Sequence, residues 1–296
     1  MNINDLFKHS NSIWVKYDEY DLFKAADGKQ YIGAADNAKP KIFNPLDNAE
    51  EMVVDALNIG LICMNKDKTD DDIFDAISLF IGKYGLLGFM TALPTTPEFM
   101  NYEAVYLPKN RYIREESMNT MEYLNIFYPM DKPQILRNGV NTLWTVDVDK
   151  DMMALAMTMD NRPMAVNMEF QREYAERYDW IIKQFKDWAL IFFTSVLYYD
   201  KEETLSDDDK DLMRQALGAF NGIMPNYHIE PLDKPTLVWD FQSLLLAIQI
   251  IFSFMLADDK TPLKMCKQCS NAFVAKSPTA KFCSQRCKNH YYRNKQ

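Results

Sequence analysis

Near its C-terminal end the chain reads Cys266-Lys267-Gln268-Cys269, thirteen residues, then Cys283-Ser284-Gln285-Arg286-Cys287. No other feature constrains the fold as tightly. Two close cysteine pairs at this separation have the spacing of four-thiolate zinc coordination. Each pair reaches one ion from a single turn, and the linking loop is long enough to bring the pairs together. The spacing predicts one structural Zn2+ held by Cys266, Cys269, Cys283 and Cys287. Four thiolates close the shell and leave no position for the water that a catalytic zinc activates. No nearby His-x-Glu supplies the acid/base of a zinc deaminase. His290 is a spare ligand, but four sulfurs already complete a tetrahedron.

The residues around the cysteines have an order of their own. Cys266-x2-Cys269 suits a tight knuckle, Phe273-Val274-Ala275 a short strand and Phe282 its return strand. Cys287 fits the first turn of a helix that runs on to Lys295. Knuckle, hairpin and helix in that order make a small treble-clef-like zinc finger. A segment of about 30 residues buries too little apolar surface to fold alone, so the metal supplies the missing stability.

Charge separates this segment from the rest. Nine of the 33 basic residues and none of the 42 acidic ones follow residue 259, which leaves 24 against 42 before it, a balance of −18. The expected organisation is an acidic, mostly helical body over 1–259, with a sub-boundary near 140–150, and a basic module over 260–296 set off by Pro262. Lys281, Arg286, Lys288, Arg293 and Lys295 offer cations beside the rings of Tyr291 and Tyr292. That combination suits phosphate contacts and base stacking. It equally suits a solubilised helix face, or a basic tail attracted to an acidic body.

The body reads as mainly α with minor antiparallel β near the N-terminus. Only 9 glycines stand against 18 Met, 18 Phe and 16 Tyr, a balance that favours bulky helical packing over a turn-rich β fold. Ile13, Val15 and Tyr17 alternate, and Asp27-Gly28 marks a hairpin before Gln30-Tyr31-Ile32. Residues 37–45 read as loop. Helices are expected from Asp47 with Glu50 in capping-box spacing, from Thr69 to about Gly85, and from Glu115 to Phe127. Further helices are expected from about Asn167 to Tyr199, from Ser206 onward, and from Thr236 to Ala257. A strand fits 102–107, and the prolines Pro225, Pro231 and Pro235 mark a loop. Asp70–Asp72 and Asp207–Asp209 sit where a helix dipole favours negative charge, which explains them without a metal. Asp147, Asp149 and Asp151 imitate a calcium loop, but Met152 and Thr158 occupy its required Gly and Glu positions.

The apolar run from Phe241 to Ala257 is short for a membrane span and contains Gln242, Ser243, Gln249 and Ser253, so a buried core helix is expected. The start Met1-Asn2-Ile3-Asn4-Asp5 lacks the pattern of a signal peptide. A cytoplasmic chain with no membrane association follows, and there paired cysteines more often hold metal than form disulfides. Cys63, in an apolar helix, reads as a small buried hydrophobe.

No phosphate loop, Rossmann glycines, HExxH helix or Gly-x-Ser-x-Gly elbow appears. His9, His228 and His290 are the only histidines, and His228 reads as a loop residue. Glu115-Glu116 and Glu202-Glu203 are adjacent acids that point apart on a helix. No catalytic residue is assigned.

The order Cys-x2-Cys, aromatic, aromatic-Cys-x3-Cys and basic helix resembles the C-terminal zinc finger of the bacterial CGNR type. The naming tetrad here is Cys287-Lys288-Asn289-His290, which keeps the Cys and Asn and replaces the Gly and Arg. The resemblance covers about the last tenth of the chain. It implies a largely helical N-terminal domain joined to a finger that acts in transcription. The body also resembles that of bacterial proteins with the same tail, around Tyr84-Gly85-Leu86-Leu87-Gly88 and Val105-Tyr106-Leu107-Pro108. The expectation is therefore a zinc-binding, nucleic-acid-associated regulator, with homo-oligomer formation open. Two alternatives stand beside it: a protein-interaction or structural chain whose finger is only a clip, and a carboxylate enzyme in the helical body.

Overall fold

The computed structural model describes residues 7, 9–11, 14–24, 28–89, 104–106, 117–119, 175–220, 225–241, 243–258 and 262–294. In chain order its strands and helices are β1 (Ser10–Asn11), β2 (Trp14–Tyr17), β3 (Tyr20–Lys24), β4 (Gln30–Ala34), β5 (Pro40–Phe43), α1 (Ala49–Met64) and α2 (Asp70–Tyr84). There follow β6 (Ala104–Tyr106), β7 (Ser117–Asn119), β8 (Ala175–Arg177), α3 (Tyr178–Lys201) and α4 (Asp207–Gly218). The chain continues with β9 (Asn226–Pro231), β10 (Pro235–Asp240), α5 (Leu244–Leu256), β11 (Leu263–Met265), β12 (Ala272–Val274) and α6 (Gln285–Arg293). Helices hold about half of the described residues, more than the strands do, and the strands form several small sheets.

Four helices build the core. On α3, Phe185, Trp188, Ala189 and Phe192 recur at helical spacing and are fully buried. Phe80 of α2 meets Phe185 edge to face at 5.0 Å. Helix α1 crosses α3 at Gly60, where a Cβ would stand 2.1 Å from the Phe185 carbonyl oxygen and 2.6 Å from the Ala189 Cβ. No side chain fits there, so the glycine sets how closely the two helices approach. Helix α5 is buried nearly all round, from Leu244 to Met255, as its apolar sequence predicts. No helix among the described residues is long and apolar enough to cross a membrane. Cys63 is buried as expected, and burial pushes its thiol up to about 11.

The segment after α2 joins these helices through one carboxylate. Glu176 of β8 is 2% exposed and accepts hydrogen bonds from the backbone N–H groups of Leu87 (2.9 Å), Gly88 (2.5 Å) and Phe89 (3.1 Å). The Leu87 carbonyl in turn accepts from Leu245 N, at the start of α5, at 2.7 Å. Gly85 ends α2 with φ +87°, and a Cβ there would meet the Val15 carbonyl oxygen at 2.9 Å. The Tyr84-Gly85-Leu86-Leu87-Gly88 stretch therefore positions three elements at once.

Strands extend well beyond the N-terminal region, which corrects the expectation that confined them there. The β3–β4 hairpin forms around Gly28 as predicted, pairing Leu22 with Ile32, and β8 adds to it. Residues 40–43 are strand β5, not loop, paired with β2; Pro40 takes the first strand position, where its missing N–H costs little. Residues 225–235 are not a loop, nor is 236–240 helix. They form the β9–β10 hairpin, with β1 parallel to β10. Pro231 and Pro235 stand opposite each other at its turn end, so neither removes an interior ladder bond. The last body helix consequently begins only at Leu244, capped by the Ser243 hydroxyl.

Other boundaries shift for local reasons. Asp47 lies in a 3-10 turn, Pro45–Asn48, capped by Asn44 Oδ1, and α1 starts at Ala49 without the expected capping box. Thr69 and Asp72 do form one on α2, and Ser206 caps α4. Residues 175–177 are strand where helix was expected, and 117–119 pair with the expected strand at 104–106. The rest of the helix expected over 115–127, the residues 167–174, the aspartates 147–151 and the sub-boundary near 140–150 lie outside the described residues.

His228, expected in a loop, stands on β9 between two carboxylates. Its Nδ1 is 2.7 Å from Asp240 Oδ2 and its Nε2 is 3.3 Å from Glu230 Oε1. The Asp240 hydrogen bond raises its pKa above the ordinary value, against desolvation and with help from Glu230. A raised pKa means that the protonated ring stabilises the fold fully below the unfolded pKa of about 6.5, and that this is lost as pH rises through the folded value. Urea titrations from mildly acid to mildly alkaline pH are expected to show that loss in the wild type and a flatter profile in His228→Gln. Gly60→Ala is expected to destabilise the protein by about 1–3 kcal/mol through overpacking, read as a lowered urea midpoint at unchanged helix content.

Candidate metal centre

The C-terminal module begins with a two-stranded hairpin whose turn is the first cysteine pair. Strands β11 and β12 pair antiparallel, Met265 opposite Ala272 and Leu263 opposite Val274. Between them Cys266 N donates to the Asn271 carbonyl and Ser270 N to the Cys266 carbonyl, each at 2.9 Å. Ser270 takes φ +59°, the left-handed turn that closes the knuckle. The expected strand at 273–275 is present one residue earlier, at Ala272–Val274. Its partner is β11, ahead of the knuckle, and not Phe282. Phe282 packs instead on α6, its ring 5.1 Å from Tyr291 and 6.0 Å from Tyr292.

The second pair is delivered by the helix start. Ser284 caps α6, its hydroxyl accepting from Cys287 N at 3.2 Å, so Cys283 sits just before the helix and Cys287 in its first turn. The two pairs meet through the backbone: Lys267 N donates to the Lys281 carbonyl at 3.0 Å, and Cys283 N points at Cys266 Sγ at 3.4 Å.

These contacts bring together the four sulfurs that the spacing predicts. Cys283 Sγ lies 3.7 Å from Cys269 Sγ and 3.5 Å from Cys287 Sγ, and all four ligand atoms fall within 4.8 Å of one another. A tetrahedron with metal–sulfur bonds of ~2.3 Å requires sulfur separations of ~3.8 Å. The cluster can hold one metal ion at these distances. Among the described residues it is the one such group of histidine, cysteine and acidic side chains. His290 is exposed on α6, its Nδ1 3.3 Å from Asn294 Nδ2.

The thiols differ in how readily they ionise. Burial pushes Cys266 up, but the N–H groups of Cys269, Cys283 and Gln268 outweigh it and bring the thiol down to about 6. Burial pushes Cys283 up to about 12, reinforced by the neighbouring sulfurs of Cys287, Cys266 and Cys269. Metal binding requires thiolates, so it displaces the protons these sulfurs carry.

What holds the module in place is a contact with no counterpart in the local sequence pattern. Asn58, within the apolar α1, accepts from Ala272 N at 2.7 Å and donates to the Ala272 carbonyl at 3.2 Å. Leu263 and Ala272 are buried in the same core cluster as α1, α3 and α5. An asparagine in a hydrophobic helix is the one local signal for this clamp, and nothing in it names a partner 214 residues away.

The cationic residues flank the cluster. Lys281, Arg286, Lys288 and Arg293 are exposed, Tyr291 is half-buried under Phe282, Tyr292 is 54% exposed, and Lys295 lies outside the described residues. Of the adjacent acids, Glu202 and Glu203 fall in a 3-10 turn after α3, and Glu115 and Glu116 lie outside the described residues. No known family model, no curated protein and no solved structure matches this chain.

Elemental analysis is expected to find close to one metal ion per chain, and Cys283→Ser to abolish it. Loading at neutral pH is expected to release protons, so apparent affinity falls as pH drops. Pure protein free of metal, with an unchanged proteolysis pattern over residues 262–294, would refute the site.

Proposed function

We propose that the four cysteines hold one structural Zn2+ in a treble-clef-like finger and that this finger binds nucleic acid, giving the chain a regulatory role of the kind its CGNR-like resemblance implies. The donor set supports zinc: four thiolates at tetrahedral separations form a closed shell that this ion favours. The ion would do no chemistry on a substrate. It would fix the knuckle against the start of α6 and stabilise a module with little core of its own.

The observation that carries the reading is the charge carried by α6. Arg286, His290 and Arg293 fall on one face by helical periodicity, while Cys287 and Tyr291 face the cluster and Phe282. That face is exposed, and no acidic residue stands anywhere in the module's sequence. An anionic backbone is the partner such a face fits.

A second reading is favoured by the Asn58 clamp and by the burial of Leu263 and Ala272 in the body. In it the finger is a fold-stabilising clip that staples β11 and β12 onto α1. The two readings separate in one experiment. Zinc-loaded protein is titrated with duplex and single-stranded nucleic acid across a salt series, beside Arg286→Glu/Arg293→Glu. With three to five phosphate contacts the log–log slope on duplex is expected near −3 to −4, and the double variant is expected to lose most of the affinity. Absence of binding to either form at low salt would leave the clip.

A further inference from the structure

The module and the body do not close completely on each other. Between them lies a groove of about 1040 Å3. One wall comes from the end of α3, with Ser195, Val196 and Tyr199, and from the end of α5. The module supplies the other, with Lys264, Lys267 and Lys281.

The two walls differ in chemistry. The Lys267 N to Lys281 O bond of 3.0 Å fixes the backbones of two exposed lysines side by side, and the Lys264 ammonium is tied to the Pro278 carbonyl on the same wall. Asp258 is the one carboxylate among the lining residues. Three cations against one anion stand out in a chain whose first 259 residues carry −18. Tyr199, from the body, lines the same groove; it is 71% exposed and is held edge to face against Tyr198 at 5.0 Å. Tyr198 is itself fixed, its hydroxyl accepting from Arg214 Nε at 3.0 Å. An exposed ring braced in this way is a stacking surface rather than packing.

We propose that this groove binds a single strand of nucleic acid, with its phosphates on Lys264, Lys267 and Lys281 and a base stacked on Tyr199. The proposal rests on the nucleic-acid reading of the finger and extends it by assigning the strand state and by recruiting the body. Cations on one wall and a ring on the other fit a strand whose bases are splayed from its backbone. A duplex keeps its bases stacked inside and can offer the groove only phosphates. Lys281 leads directly into the N-terminal end of α6, so the strand's path continues onto Arg286.

The test uses the full zinc-loaded chain with labelled oligothymidylate and oligouridylate of about a dozen nucleotides, within the range one such platform covers, and a duplex of equal length. Four variants are compared: Lys267→Ala/Lys281→Ala, Tyr199→Ala, Tyr199→Phe and Arg286→Glu/Arg293→Glu. Metal content and melting temperature serve as folding controls. Tighter binding of the single strands than of the duplex is expected. The lysine variant is expected to lower the single-strand salt slope by about 1.4, for two lost contacts. Tyr199→Ala is expected to weaken binding about five-fold or more, while Tyr199→Phe keeps it, as stacking on a ring requires. Because Tyr199 lies on a body helix, its variants remain informative even where a lysine change disturbs the finger. Unchanged single-strand binding in the lysine and Tyr199→Ala variants, with loss in Arg286→Glu/Arg293→Glu, overturns the groove and leaves the finger's reading standing. Duplex preferred over single strand also overturns it. A wild type that binds none of the probes removes both.

Discussion

A buried carboxylate joins the separate parts of this fold. Glu176 is surrounded by core, and its charge is tolerable there because three consecutive backbone N–H groups, from Leu87, Gly88 and Phe89, converge on it. The loop that supplies them is shaped by Gly85 at the end of α2, and the same loop receives the first turn of α5 through the Leu87 carbonyl. Strand β8, helix α2 and helix α5 thus meet at one anion. Either partner alone would be costly: a buried charge without donors, or three donors without an acceptor. Each makes the other necessary.

The C-terminal module is built on a different principle. Helix α6 buries no residue, and the cluster of sulfurs, not apolar packing, joins the knuckle to the helix. What apolar surface the hairpin has, at Leu263 and Ala272, it gives to the body's core, and Asn58 registers it there with two hydrogen bonds. The module therefore has two attachments of distinct kind: a cluster of four sulfurs within itself and a packed, hydrogen-bonded one to α1. The groove between them is a consequence of this arrangement. The hairpin end is anchored on α1, while the loop carrying Lys281 stands off from the ends of α3 and α5.

How much of this could be read from the residues depended on how local the cause was. The helix starts at Thr69 and Ser206 and the stop near Gly85 rest on contacts within a few residues, and each is where the sequence places it. The apolar run of α5 announced a buried helix by composition alone, though not its start. Thr236–Asp240 is strand because it pairs with β9 and β1, and that pairing depends on partners the local pattern does not contain. The return strand assigned to Phe282 failed for the same reason. Aromatic character marks a buried position but does not say whether a strand or a helix face buries it, and Tyr291 of α6 is what does.

By itself the sequence determined the four cysteines and their pairing, the basic character of the last 37 residues against an acidic body, and the helical core stripe of α3. Ligand spacing, charge count and periodicity are properties of consecutive residues, and a chain cannot fold without expressing them. Only the tertiary structure decided that Gly60 would set the α1–α3 distance, that Glu176 would find its donors some 88 residues away, and that Asn58 would hold the β11–β12 hairpin. It likewise brought Tyr199, Lys267 and Lys281 to the lining of one groove. Those are meetings between distant segments, and they exist only once burial of the shared core has brought the segments together.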